Sequence, residues 1–298
     1  MGMRLSIIIF LVFNCLVFSQ QVPDTLYTPK LEKGKYTGVV YVDEAHNNFH
    51  TINNRFLPFA KVLRKAGYTV KSFAHKFTNH VLDTVTTLVI SNALSENARG
   101  PFVVPTKSAF TNKEVITIQE WVHNGGALFL IADHMPFAGA SVQLGKAFGF
   151  TFYDSFLLDE NRRGIIDFTK ENKMLGNHEL VDGNEHFKKI KKIRTFTGQA
   201  FKIPSKALAI LKTTEKLIVH LPDTMWRFNE KTKRFPAKEL SQGAVMKYGK
   251  GRIAIFGEAA MFTAQLAGPN QFKVGMNSEE ASENYKLLLN IMNWLSGK

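Results

Sequence analysis

Short segments that are apolar on both faces constrain this chain more than any other feature. GVVYV (38–42), TLVIS (87–91), ALFLIA (127–132) and RIAIF (252–256) lack the polar–apolar alternation of a half-exposed strand. Strands of this kind have no face to give to water, so they predict an α/β protein whose mostly parallel sheet is covered by helices. The intervening segments fit. Phe56–Ala66 carries apolar residues at helical spacing and Gly67 stops it. Thr111 heads a second helix with Glu114 three residues on, a capping box, and Gly125 and Gly126 close it. Tyr68–Phe73 reads as a further strand and Ser282–Leu295 as a closing amphipathic helix. GAVMKYGKGRIAIF (243–256) reads as a hairpin whose turn glycines, Gly249 and Gly251, take positive φ. Residues 151–238 are less regular, with short strands expected at Ala207–Leu211 and Lys216–Leu221.

The N-terminus reads differently. Arg4 precedes the apolar stretch Ile7–Phe18, and Val17 and Ser19 sit at the positions of small-residue cleavage sites, so residues 1–19 read as a signal peptide and 20–298 as one exported domain, periplasmic or secreted. No later segment is long and apolar enough to predict a membrane span. The single cysteine is Cys15, which excludes disulfides and a thiolate nucleophile from residues 20–298. The net charge of +13 comes largely from dispersed lysine. Its densest run, Lys188–Arg194, reads as a solvated helix end, and no motif or aromatic interleaving points to nucleic acid.

Three of the strands end in reactive side chains. In open α/β sheets ligands bind beyond the carboxyl ends of strands, where the connection order reverses. GVVYV runs into Asp43, His46, Asn47, Asn48 and His50; ALFLIA into Asp133 and His134; RIAIF into Gly257 and Glu258. Each has a structural reading: Asp43 and Asp133 as caps for backbone N–H groups, the asparagines as turn formers, and His50 as a core histidine. Glu258 resists that reading, because a carboxylate between a buried strand and Ala259-Ala260 is costly without a partner. Two chemistries suit the set. His46 and His50, with a carboxylate, suit a divalent metal such as zinc that activates water. Alternatively, Glu258 or Asp133 serves as general base and a histidine as acid. A serine nucleophile is disfavoured, since no G-x-S-x-G elbow occurs.

DEAHNNFHT, GGALFLIADHMPFAGA and GKGRIAIFGEAAMFTAQ together resemble the domain-of-unknown-function 4350 family. The family belongs to the class I glutamine-amidotransferase-like superfamily, which includes the ThuA-like proteins. The resemblance covers most of residues 36–298 and implies a flavodoxin-like three-layer sandwich. It also sets a contrast: amidotransferases carry a nucleophilic cysteine where this chain has Asp133-His134-Met135, so glutamine hydrolysis through a thiolate is excluded. Glu258 stands in the neighbourhood of their histidine and glutamate, and the ThuA-like relatives suggest a sugar ligand.

The expected function is an exported, hydrolase-like protein acting on a carbohydrate or related polar substrate. Glu258, Asp133 and His134 would be catalytic, Asp43, Asn47, Asn48 and Gln265 would orient the substrate, and His46 and His50 would hold the metal if one is used. The alternative is a binding module for a sugar or peptide on the same fold, without turnover.

Overall fold

The computed structural model describes residues 21–161 and 163–297; the signal-peptide reading of residues 1–19, and Cys15 with it, lies outside them. Seven strands form the central sheet: β1 (Val39–Asp43), β2 (Thr69–Phe73), β3 (Thr87–Ser91), β4 (Ala127–Ile131), β5 (Leu208–Lys212), β6 (Ser241–Tyr248) and β7 (Gly251–Phe256). Their order is β2-β1-β3-β4-β7-β6-β5. Parallel pairing runs from β2 across to β7, with Leu130 beside Ile90 on one side and Ile255 on the other. Only β6 runs against the rest, paired antiparallel with β7 and β5.

Both faces of this sheet are dry because alternate residues of each strand feed different cores. Phe129 and Ile131 of β4 pack with Val40, Val42 and Phe256 under Phe59 and Leu63 of α1 (Leu57–Ala66) and Leu288 and Met292 of α3 (Asn284–Leu295). Leu128 and Leu130 face the other way, with Leu88, Ile90 and Ile255, onto Ile118 and Val122 of α2 (Asn112–His123). Each such side chain contributes about 1.5–3 kcal/mol on burial, which is why the apolar segments determine the layers.

The local signals operate as expected at most positions. Gly67 ends α1 at φ +114, and Thr111 and Glu114 form the full capping box on α2. Two expectations need correction. Gly249 has φ +57 in the β6–β7 turn, but Gly251 has no positive φ. Its missing side chain instead admits the carbonyls of Val122 and Gly126, which would lie 2.1 and 2.3 Å from a Cβ. The Lys188–Arg194 run is not a helix end. Lys192–Phe196 is a strand paired antiparallel with Ile165–Thr169, and Arg194 grips Asp167 through Nε (2.7 Å) and a terminal nitrogen (2.6 Å). Tertiary pairing thus claims a segment whose composition suggests only exposure.

α1, which follows β1, lies on one face of the sheet, and α2, which follows β3, lies on the other. The chain therefore departs in opposite directions from the neighbouring strands β1 and β3, the kind of switch point beyond whose carboxyl ends ligands bind in open α/β sheets. Among the described residues no helix is long and apolar enough to cross a membrane.

Candidate functional site

Asp43, Ser91, Asp133 and Glu258 lie at or just beyond the carboxyl ends of β1, β3, β4 and β7, which are neighbours in the sheet, so the three reactive motifs meet along one rim. Hydrogen bonds join the row. Asn48 Nδ2 donates to Asp43 Oδ2 (3.0 Å) and to the Ser91 carbonyl (3.3 Å). Phe49 N donates to the Asn92 carbonyl (3.0 Å), and Asn92 Oδ1 accepts from Asp133 N (3.0 Å). Asp133 Oδ2 accepts from Ala259 N (3.1 Å), next to Glu258.

At the β1 end, His46 is clamped between two carboxylates. Its Nδ1 lies 2.9 Å from Asp43 Oδ1 and its Nε2 3.0 Å from Glu114 Oε1, and the ring stacks on Phe77 with centroids 4.4 Å apart. Burial alone would lower the histidine pKa. The hydrogen bond and charge of Asp43, with the bond to Glu114, outweigh it and raise the value above 6.5, favouring imidazolium. Burial likewise opposes ionisation of Glu114, but the bonds from His46 and Thr111 bring its pKa down to about 2. Two acids and one cation, all buried, form a clamp between the β1 loop and the start of α2.

This geometry does not fit zinc. Both His46 nitrogens are engaged, whereas metal-bound histidine needs one ring nitrogen for the ion. His50 faces Ser91 Oγ through Nδ1 (3.0 Å) and stacks on Phe56, and burial followed by the nearby charge of Arg55 lowers its pKa to about 3. Among the described residues no group of three His, Cys, Asp or Glu is arranged to hold a metal. Nothing among the described residues supports the expected metal role of His46 and His50: one is a salt-bridged clamp and the other a buried ring whose lowered pKa favours the neutral form.

The asparagines shape the loop. Asn47 takes φ +46 and sends Nδ2 to the carbonyls of Ser95 and Ala98, while Asn48 Oδ1 accepts from His46 N. Gln265 is not in the row. It sits on the strand Ala264–Ala267, in a three-stranded sheet with Gln21–Pro23 and Phe272–Gly275, and its Oε1 is buried without a hydrogen-bond partner among the described residues.

Asp133 and Glu258 form the second centre. Asp133 Oδ1 accepts from His134 N (2.7 Å) and Oδ2 from Ala259 N, while Glu258 Oε1 accepts from Ala260 N (2.8 Å) and Oε2 from Met261 N (2.7 Å). Every carboxylate oxygen of the pair therefore has a backbone donor. Burial, then the charge of Asp133, pushes the Glu258 pKa well above 4.5 against those donors. Glu258 is 1% exposed, and Gly198 (φ +81) packs close to its backbone: a Cβ there would lie 2.2 Å from the Gly257 carbonyl and 2.8 Å from Glu258 Cβ.

His134 is the rim's open imidazole. Its Nδ1 lies 2.6 Å from the Met135 carbonyl, which only accepts, so Nδ1 carries a proton and Nε2 is left without a partner among the described residues. The ring stacks on Phe156 (4.6 Å) and meets Trp226 edge-on (4.8 Å). Trp226 is 46% exposed and holds φ +61, a conformation costly for a bulky residue and stabilised here by Phe156 and His134. Sequence reasoning missed Trp226, Phe156, Ser91 and Asn92. It found Glu114 only as a cap, since nothing local signals a partner 68 residues away.

No family model and no curated protein matches the chain. Solved structures do. The mmIFT52 N-terminal domain is 13% identical with a TM-score of 0.58, the match covering 86% of this chain and 97% of that domain. A protein described as ThuA-like from Bacteroides uniformis is 11% identical, covering 90% and 94%, with a TM-score of 0.42. Another protein described as ThuA-like, from Parabacteroides merdae, is 13% identical, covering 87% and 90%, with a TM-score of 0.44. At such identities the likeness concerns the fold alone. Of these three, the mmIFT52 domain carries the comparison: nearly all of it is matched by this chain's mixed α/β architecture around a mostly parallel sheet.

Proposed function

We propose that the chain is an exported, non-catalytic binding protein of the domain-of-unknown-function 4350 type, with a flavodoxin-like sandwich and a rim that takes a carbohydrate or related polar ligand. One observation carries the choice of binder over enzyme: all four oxygens of Asp133 and Glu258 accept backbone N–H groups, and both side chains are buried. A general acid or base must reach its substrate's proton, and these carboxylates are turned inward to hold loops. The surface left for a ligand is His134 and Trp226, an imidazole with an open nitrogen beside a half-exposed indole. Export is supported by the signal-peptide pattern of residues 1–19. The flavodoxin-like assignment is supported by the parallel β2-β1-β3-β4-β7 run with helices on both faces.

The second reading, a hydrolase, is favoured by the burial of Glu258 and the charge of Asp133 beside it, which together raise the Glu258 pKa and favour the protonated carboxyl that a general acid needs. The two separate in one experiment. Purified protein is assayed against glycosides, esters and phosphates, with and without zinc, and titrated calorimetrically with an oligosaccharide panel. Binding without turnover, lost in Trp226→Ala and kept in Glu258→Gln, supports the binder. Turnover abolished by Glu258→Gln in a protein that still melts cooperatively would establish the enzyme. The melting control is needed because a Gln amide must face one of the N–H groups of Ala260 or Met261.

A further inference from the structure

One cation on the rim has no anion within the described fold. Arg55, in the turn between β1 and α1, lays its guanidinium on the Phe49 ring with Cζ 3.9 Å from the centroid. Its Nε is buried with no hydrogen-bond partner among the described residues, none of which forms an ion pair with it, and burial lowers its pKa. The nearby acids are committed elsewhere. Glu44 accepts from Ile52 N and Ser72 Oγ, and Asp43 from His46 and Asn48. α1 adds no competing charge, having neither a side-chain cap nor an acid in its first turn. A partly desolvated guanidinium without a counter-charge is costly, and proteins ordinarily resolve that cost by pairing it.

A second feature leads to the same place. At one end the half-exposed Trp226 meets His134 (4.8 Å), and at the other Phe49 lies under Arg55; the two ends are joined through Phe137 (6.2 Å from His134, 5.4 Å from Phe49), which is itself buried in the core beneath them. Aromatic side chains offer the apolar ground on which the C–H faces of sugar rings pack, and a guanidinium fork matches a carboxylate. The net charge of +13 adds a field that draws anions to the protein.

We propose that the rim binds an acidic oligosaccharide, a sugar ring packed on Trp226 beside His134 and a uronate carboxylate received by Arg55 beside Phe49. This rests on the binding reading above and specifies its ligand. The test is calorimetric titration of the exported protein with trigalacturonate and with neutral galactotriose, at low and high salt. The acidic trimer binds at least about tenfold more tightly, the preference shrinks with salt, and Arg55→Met removes it while leaving the neutral trimer's affinity in place. Arg55→Lys, which keeps the charge but not the fork, weakens the acidic trimer while melting as the parent does, so the result does not depend on Met being tolerated. Equal binding of both trimers, unchanged in Arg55→Met, overturns the acidic subsite and leaves the binding reading intact. Binding of neither trimer overturns both.

Discussion

At the residue scale, the six reactive groups of the strand ends divide by what their atoms already hold. His46 shows how a motif that suggests chemistry can serve architecture: each ring nitrogen faces a buried acid, so the imidazolium joins Asp43 to Glu114. His46→Gln strands two buried carboxylates and should cost about 3–5 kcal/mol in urea unfolding. Because the folded pKa of His46 lies above its unfolded value near 6.5, its stabilising contribution is complete below that pH and is lost as pH rises through the folded value. His50 acts in the opposite sense. Its folded pKa of about 3 lies below the unfolded one, so its contribution is present above about 6.5 and is lost as pH falls toward 3. Unfolding midpoints across pH should therefore lose their alkaline decline in His46→Gln and part of their acid decline in His50→Asn. A wild-type profile that His46→Gln leaves unchanged in shape would refute the clamp. Asp43, His46, Asp133 and Glu258 were legible in the sequence as a rim set; their inward commitments were not, because hydrogen-bond partners come from other strands and loops.

At the element scale, the strands and helices that meet at the rim were largely readable, since each depends on signals a few residues apart. The capping box of α2 is the plainest, yet Glu114 has two roles: Oε2 bonds Thr111 at the cap and Oε1 reaches His46. Thr111→Ala should cost about 1 kcal/mol. Glu114→Ala should cost several times more, and a double-mutant cycle with His46→Gln should give a coupling of about 0.5–3 kcal/mol; additivity there would show that the contact carries no energy. Gly251→Ala should destabilise by more than Gly249→Ala, in thermal melts, because its Cβ would press on two backbone carbonyls while Gly249 meets one carbonyl and the movable ring of His123. The segment 151–238 was poorly legible for the converse reason. Its strands pair antiparallel across long separations, as Lys192–Phe196 does with Ile165–Thr169, and short strands carry little local signal.

At the scale of the whole molecule, function depends on what the rim leaves exposed. Trp226 reaches His134 from a loop far along the chain, and its indole is half in solvent, so Trp226→Ala should leave the melting temperature nearly unchanged while weakening ligand binding at least about tenfold. A large fall in melting temperature would make Trp226 a structural residue instead. The sequence by itself determined the layered α/β architecture and the alignment of three motifs on one edge, because apolar strands must be covered and parallel neighbours bring their carboxyl ends to the same side. Only the tertiary structure decided which of those polar groups turn inward and which stay at the surface. A carboxylate and a backbone N–H find each other through the packing of distant segments, and that packing turned Asp133 and Glu258 inward while leaving the Trp226 indole 46% exposed beside His134.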